Sequence, residues 1–212
     1  MIFRLLITGN RGFIGTNFTE FALSEGHFIV GYDALYKEAN LDIDFESPNY
    51  YFFCGNITNK TSEILNILIK YKITHCLHLA AQSNVDKSIN TIEPFIFDNI
   101  VGTYRVLEAC LEYQRKNPDF KLINYSTDEC MGSLGEEESP WTEESPINPN
   151  NLYASSKASA ALLGLSFYRT HKLNVITTYS CNLFGRYQKD KLIPTIIKKV
   201  LAKEPVGIFG KG

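Results

Sequence analysis

Short apolar runs alternate with amphipathic stretches along most of this chain. The runs at residues 2–7, 28–32, 50–53, 73–79, 121–125 and 174–179 are too short for independent helices and end in turn-forming residues, so they predict strands. Between them, the stretch after Gly15 through about Ser24, and residues 61–71, 94–113 and 152–170, predict helices. In the second, positions 64, 65, 68 and 69 are the apolar ones; in the third, Ile100, Val101, Val106 and Leu107 are expected to pack on a sheet. Strand and helix in steady alternation predict an α/β fold with a doubly wound parallel sheet. Residues 133–150, with an acidic run and three prolines, predict a surface excursion. After Cys181 the rhythm changes to a helix over 192–202 and a short strand over 206–209. The expected division is therefore one domain over residues 1–180 and the beginning of a smaller lobe over 181–212.

Composition narrows the partners. A net charge of −2, with no block of Lys or Arg, argues against a nucleic-acid surface. No apolar run reaches the ~20 residues of a membrane span, and the N-terminus lacks a signal peptide's layout; no membrane partner and a cytoplasmic location are expected. Cys54, Cys76, Cys110, Cys130 and Cys181 are odd in number and show no CxxC spacing, which predicts reduced thiols. The histidines are scattered, so no metal site is expected.

The chemistry begins at Thr8-Gly9-Asn10-Arg11-Gly12-Phe13-Ile14-Gly15, between the first strand and the first helix. Glycines there let the backbone approach a pyrophosphate, and the helix N-terminus points free N–H groups at it. Asp33, at the end of the second strand, stands where an acid binds adenosine ribose hydroxyls. Its charge repels a 2′-phosphate and favours NAD over NADP, with Arg11 as the opposing feature. Ala80 and Ala81, between Leu79 and Ser83, are small enough for a cofactor to lie against the sheet edge. The fifth strand then breaks into Ser126-Thr127-Asp128-Glu129, and Tyr153 and Lys157 share a helical face one turn apart. A phenol has a pKa near 10, and bringing it to 7 takes roughly 4 kcal/mol of preferential stabilisation of the phenolate. A neighbouring ammonium and a nicotinamide cation can supply it, so that the phenolate takes a hydroxyl proton while hydride leaves for NAD.

These segments resemble the extended short-chain dehydrogenase/reductases, and within them the NDP-glucose (dTDP- or UDP-glucose) 4,6-dehydratases. The likeness rests on Gly12-Phe13-Ile14-Gly15, His78 to Asp86, Asn99-Ile100-Val101-Gly102-Thr103, Ser126 to Glu129, Tyr153 to Lys157 and Lys191-Leu192-Ile193-Pro194. The resemblance implies a Rossmann domain with NAD as cofactor, a nucleotide-sugar substrate, and a homodimer formed through a four-helix bundle. It implies oxidation at carbon 4, loss of water across carbons 5 and 6, and hydride return to carbon 6. Asp128 is then the acid and Glu129 the base, with Thr127 bonded to the carbon 4 oxygen. By the same resemblance Asn56, Ile57, Asn99 and Ser126 join the cofactor site, and Ser83, Asn84, Asn182, Lys191 and Leu192 the substrate site. Asn56 stands where the family has an aspartate facing adenine. The family continues past Gly212, so an incomplete substrate lobe is expected. A 4-epimerase, or a catalytically silent NAD-binding dimerisation module, remains an alternative.

Overall fold

The computed structural model describes residues 1–135, 137–189 and 191–207. Six strands form one parallel sheet: β1 (Arg4–Thr8), β2 (Phe28–Asp33), β3 (Tyr50–Cys54), β4 (His75–His78), β5 (Lys121–Thr127) and β6 (Val175–Ser180), in the order β3-β2-β1-β4-β5-β6. The helices are α1 (Phe13–Ser24), α2 (Thr61–Tyr71), α3 (Val85–Asn90), α4 (Thr103–Gln114), α5 (Leu152–His171) and α6 (Leu192–Leu201). Strand order reverses between β1 and β4, and the crevice beyond their carboxyl ends is where open sheets of this kind bind ligands.

Side chains alternate across the sheet. Leu6, Val30, Cys76 and Leu122 join Ile64, Leu68, Val106, Leu107 and Cys110 in the larger core, with Leu163 and Phe167 of α5 packed against it. Leu5, Ile7 and Ile29 face the other way, toward Ala22 and Phe18 of α1. On that second face β6 carries the exposed Ile176, and α6 buries none of its residues. Among the described residues, no helix is long and apolar enough to cross a membrane.

Four elements depart from the sequence expectation. The helix expected over 94–113 is a π-helical segment, Phe95–Gly102, followed by α4. Its wide turns alter the facing, so Val106 and Leu107 are fully buried while Ile100 and Val101 are only half-buried. In α2 Ile67 is buried and Ile69 exposed, because three residues of one helical stripe suffice to cover the sheet there. The strand expected over 206–209 is absent at Val206 and Gly207; residues 208 and 209 lie outside the described residues. Finally, β5 runs on to Thr127, and Asp128–Met131 forms one 3₁₀ turn.

A buried imidazole ties the crevice together from behind. The Thr103 hydroxyl donates to the Asn99 carbonyl at 2.6 Å, so it accepts from His78 Nε2 at 3.0 Å; His78 Nδ1 then accepts the Thr8 hydroxyl at 2.7 Å. Burial, with the nearby Lys157 charge, lowers the His78 pKa to about 3. The unfolded chain therefore takes up this proton first, and stability falls as pH drops from about 6.5 toward 3. His78→Asn is expected to flatten the pH dependence of urea unfolding in that window, by up to about 1.4 kcal/mol per pH unit. An unchanged slope would show that the folded protein tolerates the charged ring.

Candidate active site

The glycine turn is closed to any side chain. Gly9 has φ +73°, and a Cβ on it would lie 2.6 Å from the Ala80 nitrogen; one on Gly15 would lie 2.1 Å from the Gly9 carbonyl oxygen. This close packing brings the end of β1 against the end of β4. No side chain caps α1, so the N–H groups of its first turn are available to an anion. A cradle that a Cβ would fill, beside an uncapped helix N-terminus, fits the pyrophosphate of a dinucleotide. The Asp33 carboxylate accepts the Arg11 N–H at 2.9 Å and the Leu35 N–H at 2.8 Å. Burial pushes its pKa above the ordinary carboxylate value, against the pull of those two bonds and of the Arg11 charge. Gly9, Gly12, Phe13, Asp33, Asn56, Ile57, Leu79, Ala80, Ala81, Ser83 and Asn84 line this end of the groove.

The other end is a cleft of about 430 Å³ walled by Ile14, Ser126, Thr127, Glu129, Tyr153, Lys157, Asn182, Lys191 and Leu192. Asn151 caps α5, its Oδ1 accepting the Ala154 N–H at 2.8 Å, and so sets the first turn that carries Tyr153. Burial together with the Glu129 charge pushes the Tyr153 phenol above the ordinary tyrosine pKa. Lys157 donates to the Tyr125 carbonyl at 2.6 Å. Burial lowers its pKa to about 8, so at neutral pH it still carries its charge. The Glu129 carboxylate accepts from Asn151 Nδ2 at 3.4 Å and faces the cleft. Without a cation beside it the phenol stays protonated, and a bound group must supply part of the missing positive charge.

Some expected residues lie behind the walls. Arg11 turns away from the groove; its guanidinium stacks over Phe45 and Phe52 at 4.9 and 5.0 Å and donates to the Ile43 carbonyl. The Arg11 guanidinium, the feature that opposed NAD in the sequence, is thus held away from the groove, and Arg11 is not among the groove-lining residues. Gly15 is packed under the turn. Asn99 braces instead of lining: it accepts the Gln82 N–H at 2.7 Å, donates to the Gln82 carbonyl at 3.0 Å and donates to the Ser156 hydroxyl at 2.8 Å. Asp128 is half-buried, takes a 3.3 Å bond from the Thr127 hydroxyl, and stands beside the cleft wall while Glu129 is in it.

Sequence reasoning missed Tyr36, Gln82 and Asp98 at the first end, and residues 186–189 of a strap whose Lys191 it had named. That strap crosses the groove: Asn17 Nδ2 donates to the Arg186 carbonyl at 2.8 Å, Asn40 Nδ2 to the Tyr187 carbonyl at 3.2 Å, Lys189 Nζ to the Ala39 carbonyl at 2.9 Å and Lys191 Nζ to the Ser83 carbonyl at 2.9 Å. The only signal for it in the sequence is its proximity to Lys191.

The GDP-mannose 4,6 dehydratase family matches residues 6–210. A dTDP-glucose 4,6-dehydratase of Xanthomonas campestris pv. campestris is 38% identical over 98% of this chain and 61% of its own length. The crystal structure of dTDP-glucose 4,6-dehydratase from Bacillus anthracis in complex with NAD superposes with a TM-score of 0.87 at 36% identity, over 99% of this chain and 65% of that one. DesIV, a dTDP-glucose 4,6-dehydratase of Streptomyces venezuelae with NAD bound, gives 0.89 at 32% identity, over 99% and 65%. This chain thus spans a little under two thirds of the length of each.

Proposed function

The chain belongs to the GDP-mannose 4,6 dehydratase family of nucleotide-sugar enzymes, and from that premise we propose that it dehydrates dTDP- or UDP-glucose to the 4-keto-6-deoxy sugar with NAD as cofactor. The observation that carries this reading is Thr127, Glu129, Tyr153 and Lys157 on one cleft wall, contiguous with a glycine cradle suited to a pyrophosphate. Residues 1–180 are then the cofactor domain with the catalytic groups, and 181–212 belong to a substrate-binding lobe.

When bound, the dinucleotide supplies reversible hydride acceptance, taking hydride from carbon 4 and giving it back to carbon 6. Tyr153 takes the proton of the carbon 4 hydroxyl, and Lys157 lowers the cost of the phenolate. Thr127 donates to the carbon 4 oxygen as it becomes a carbonyl. That carbonyl acidifies the carbon 5 proton, which Glu129 removes. Asp128, protonated, gives its proton to the departing carbon 6 hydroxyl, which leaves as water.

The same family reading includes a homodimer through a four-helix bundle. Ile96, Phe97 and Tyr104 on the π segment and α4, and Leu162, Leu165 and Tyr168 on α5, are exposed large side chains suited to such a face. Sedimentation equilibrium giving only monomer at micromolar concentration would remove it.

Incubation of the protein with NAD and either sugar nucleotide, followed by mass analysis, tests the function. Loss of one water is the expected result. A product of unchanged mass with inverted carbon 4 would make the protein a 4-epimerase, and dinucleotide binding without turnover would make it a silent binding module.

A further inference from the structure

Four side chains from four separate segments meet at the adenosine end of the groove. Tyr36 follows β2, Asn56 follows β3, Gln82 follows β4 and Asp98 sits in the π segment; all four line the same cavity. Asn56 has no acceptor to spare for a base. Its Oδ1 takes the Thr58 N–H at 2.8 Å and the Thr58 hydroxyl at 2.9 Å, and its Nδ2 donates to the Tyr36 hydroxyl at 2.7 Å.

Asp98 is placed differently. It is only 6% exposed, and among the described residues no cation pairs with it. Gln82 Nε2 donates to its Oδ2 at 2.7 Å, while its Oδ1 receives only a long bond, 3.4 Å, from the Tyr36 hydroxyl. A carboxylate accepts at about four lone-pair positions, so this buried side chain keeps acceptor capacity at the groove wall. Such a group is costly to leave unmatched. The wide turn that holds it is of the kind often found at functional sites; here it puts Asp98 on the wall and Asn99 behind it, gripping the Gln82 backbone.

We infer that Asp98 reads the base of the bound dinucleotide, accepting a hydrogen bond from the exocyclic amino group of adenine. A 6-oxo purine would set an oxygen against the carboxylate and be disfavoured. Asp98 is thus a specificity-determining residue of the cofactor site, and Gln82 and Tyr36 hold its carboxylate in place. The inference rests on the proposed function only in taking the groove to hold an adenine dinucleotide.

The test is calorimetric binding of NAD and of nicotinamide hypoxanthine dinucleotide, which differ at the 6-position of the purine. Wild-type protein is expected to hold NAD at least about tenfold more tightly, the scale of a hydrogen bond to a charged group. Asp98→Asn, whose amide both donates and accepts in the same volume, should narrow that preference with an unchanged circular dichroism spectrum. Asp98→Ala should weaken NAD and spare the hypoxanthine analogue. Equal binding of the two dinucleotides by wild type, or an undiminished preference in Asp98→Asn, overturns the assignment while leaving the dinucleotide groove standing. Failure of both dinucleotides to bind overturns the proposed function as well.

Discussion

Tyr153→Phe is expected to lower sugar-nucleotide dehydration by about 10²–10⁴-fold, the usual contribution of a positioned acid–base group, while dinucleotide binding persists. The substitution removes only the hydroxyl; the ring keeps its edge contact with Phe95, centroids 6.5 Å apart at 77°. In the free protein burial and Glu129 hold the phenol protonated. On the proposed mechanism the phenolate forms when positive charge gathers beside it, from Lys157 and from an oxidised nicotinamide. The defect should fall on kcat, with KM for the sugar nucleotide little changed, because the hydroxyl matters most when it carries a proton away. Activity within about tenfold of wild type would mean that another group is the base.

Asp128→Asn combined with Glu129→Gln should separate the two halves of the reaction. The proposed mechanism assigns oxidation at carbon 4 to Tyr153 and Lys157, so absorbance at 340 nm should still rise on adding sugar nucleotide. Water loss should slow by at least about 10²-fold. Of the single variants, Glu129→Gln should be the more damaging, since Glu129 is in the cleft wall while Asp128 stands beside it, bonded to Thr127. A double variant that dehydrates at the wild-type rate would remove both acids from the chemistry.

Much of this molecule is legible in its sequence, for identifiable reasons. The inner strands β1 and β2, buried on both faces, read as nearly unbroken apolar runs, while the partly exposed edge strands β3 and β6 were visible by their aromatic and β-branched residues. Gly9 and Gly15 stood out because only glycine fits where β1, α1 and β4 nearly touch. The Tyr153–Lys157 pair was visible because one helical turn fixes its geometry whatever surrounds it. The π segment was not, since eight residues hold too few turns for their apolar pattern to fix a period. Nor was the course of the Arg11 side chain, because it ends between Phe45, in a loop with no periodicity, and Phe52 on β3. Tyr36, Gln82 and Asp98 are single polar residues on separate segments, joined only once the strand ends converge. The strap of residues 186–189 is held by side chains distant in sequence, Asn17 and Asn40 among them, and local patterning carries no trace of such contacts.

The central claim is that one sugar, beside one nicotinamide ring, faces the phenol, the ammonium and the acids together. Sugar nucleotide deuterated at carbon 4 tests it most directly. Mass spectrometric fragmentation should find the 4-keto-6-deoxy product one water lighter with the deuterium on carbon 6, carried there by a cofactor that never leaves. Deuterium retained at carbon 4 in a product of unchanged mass, or lost to free NADH, would contradict the account.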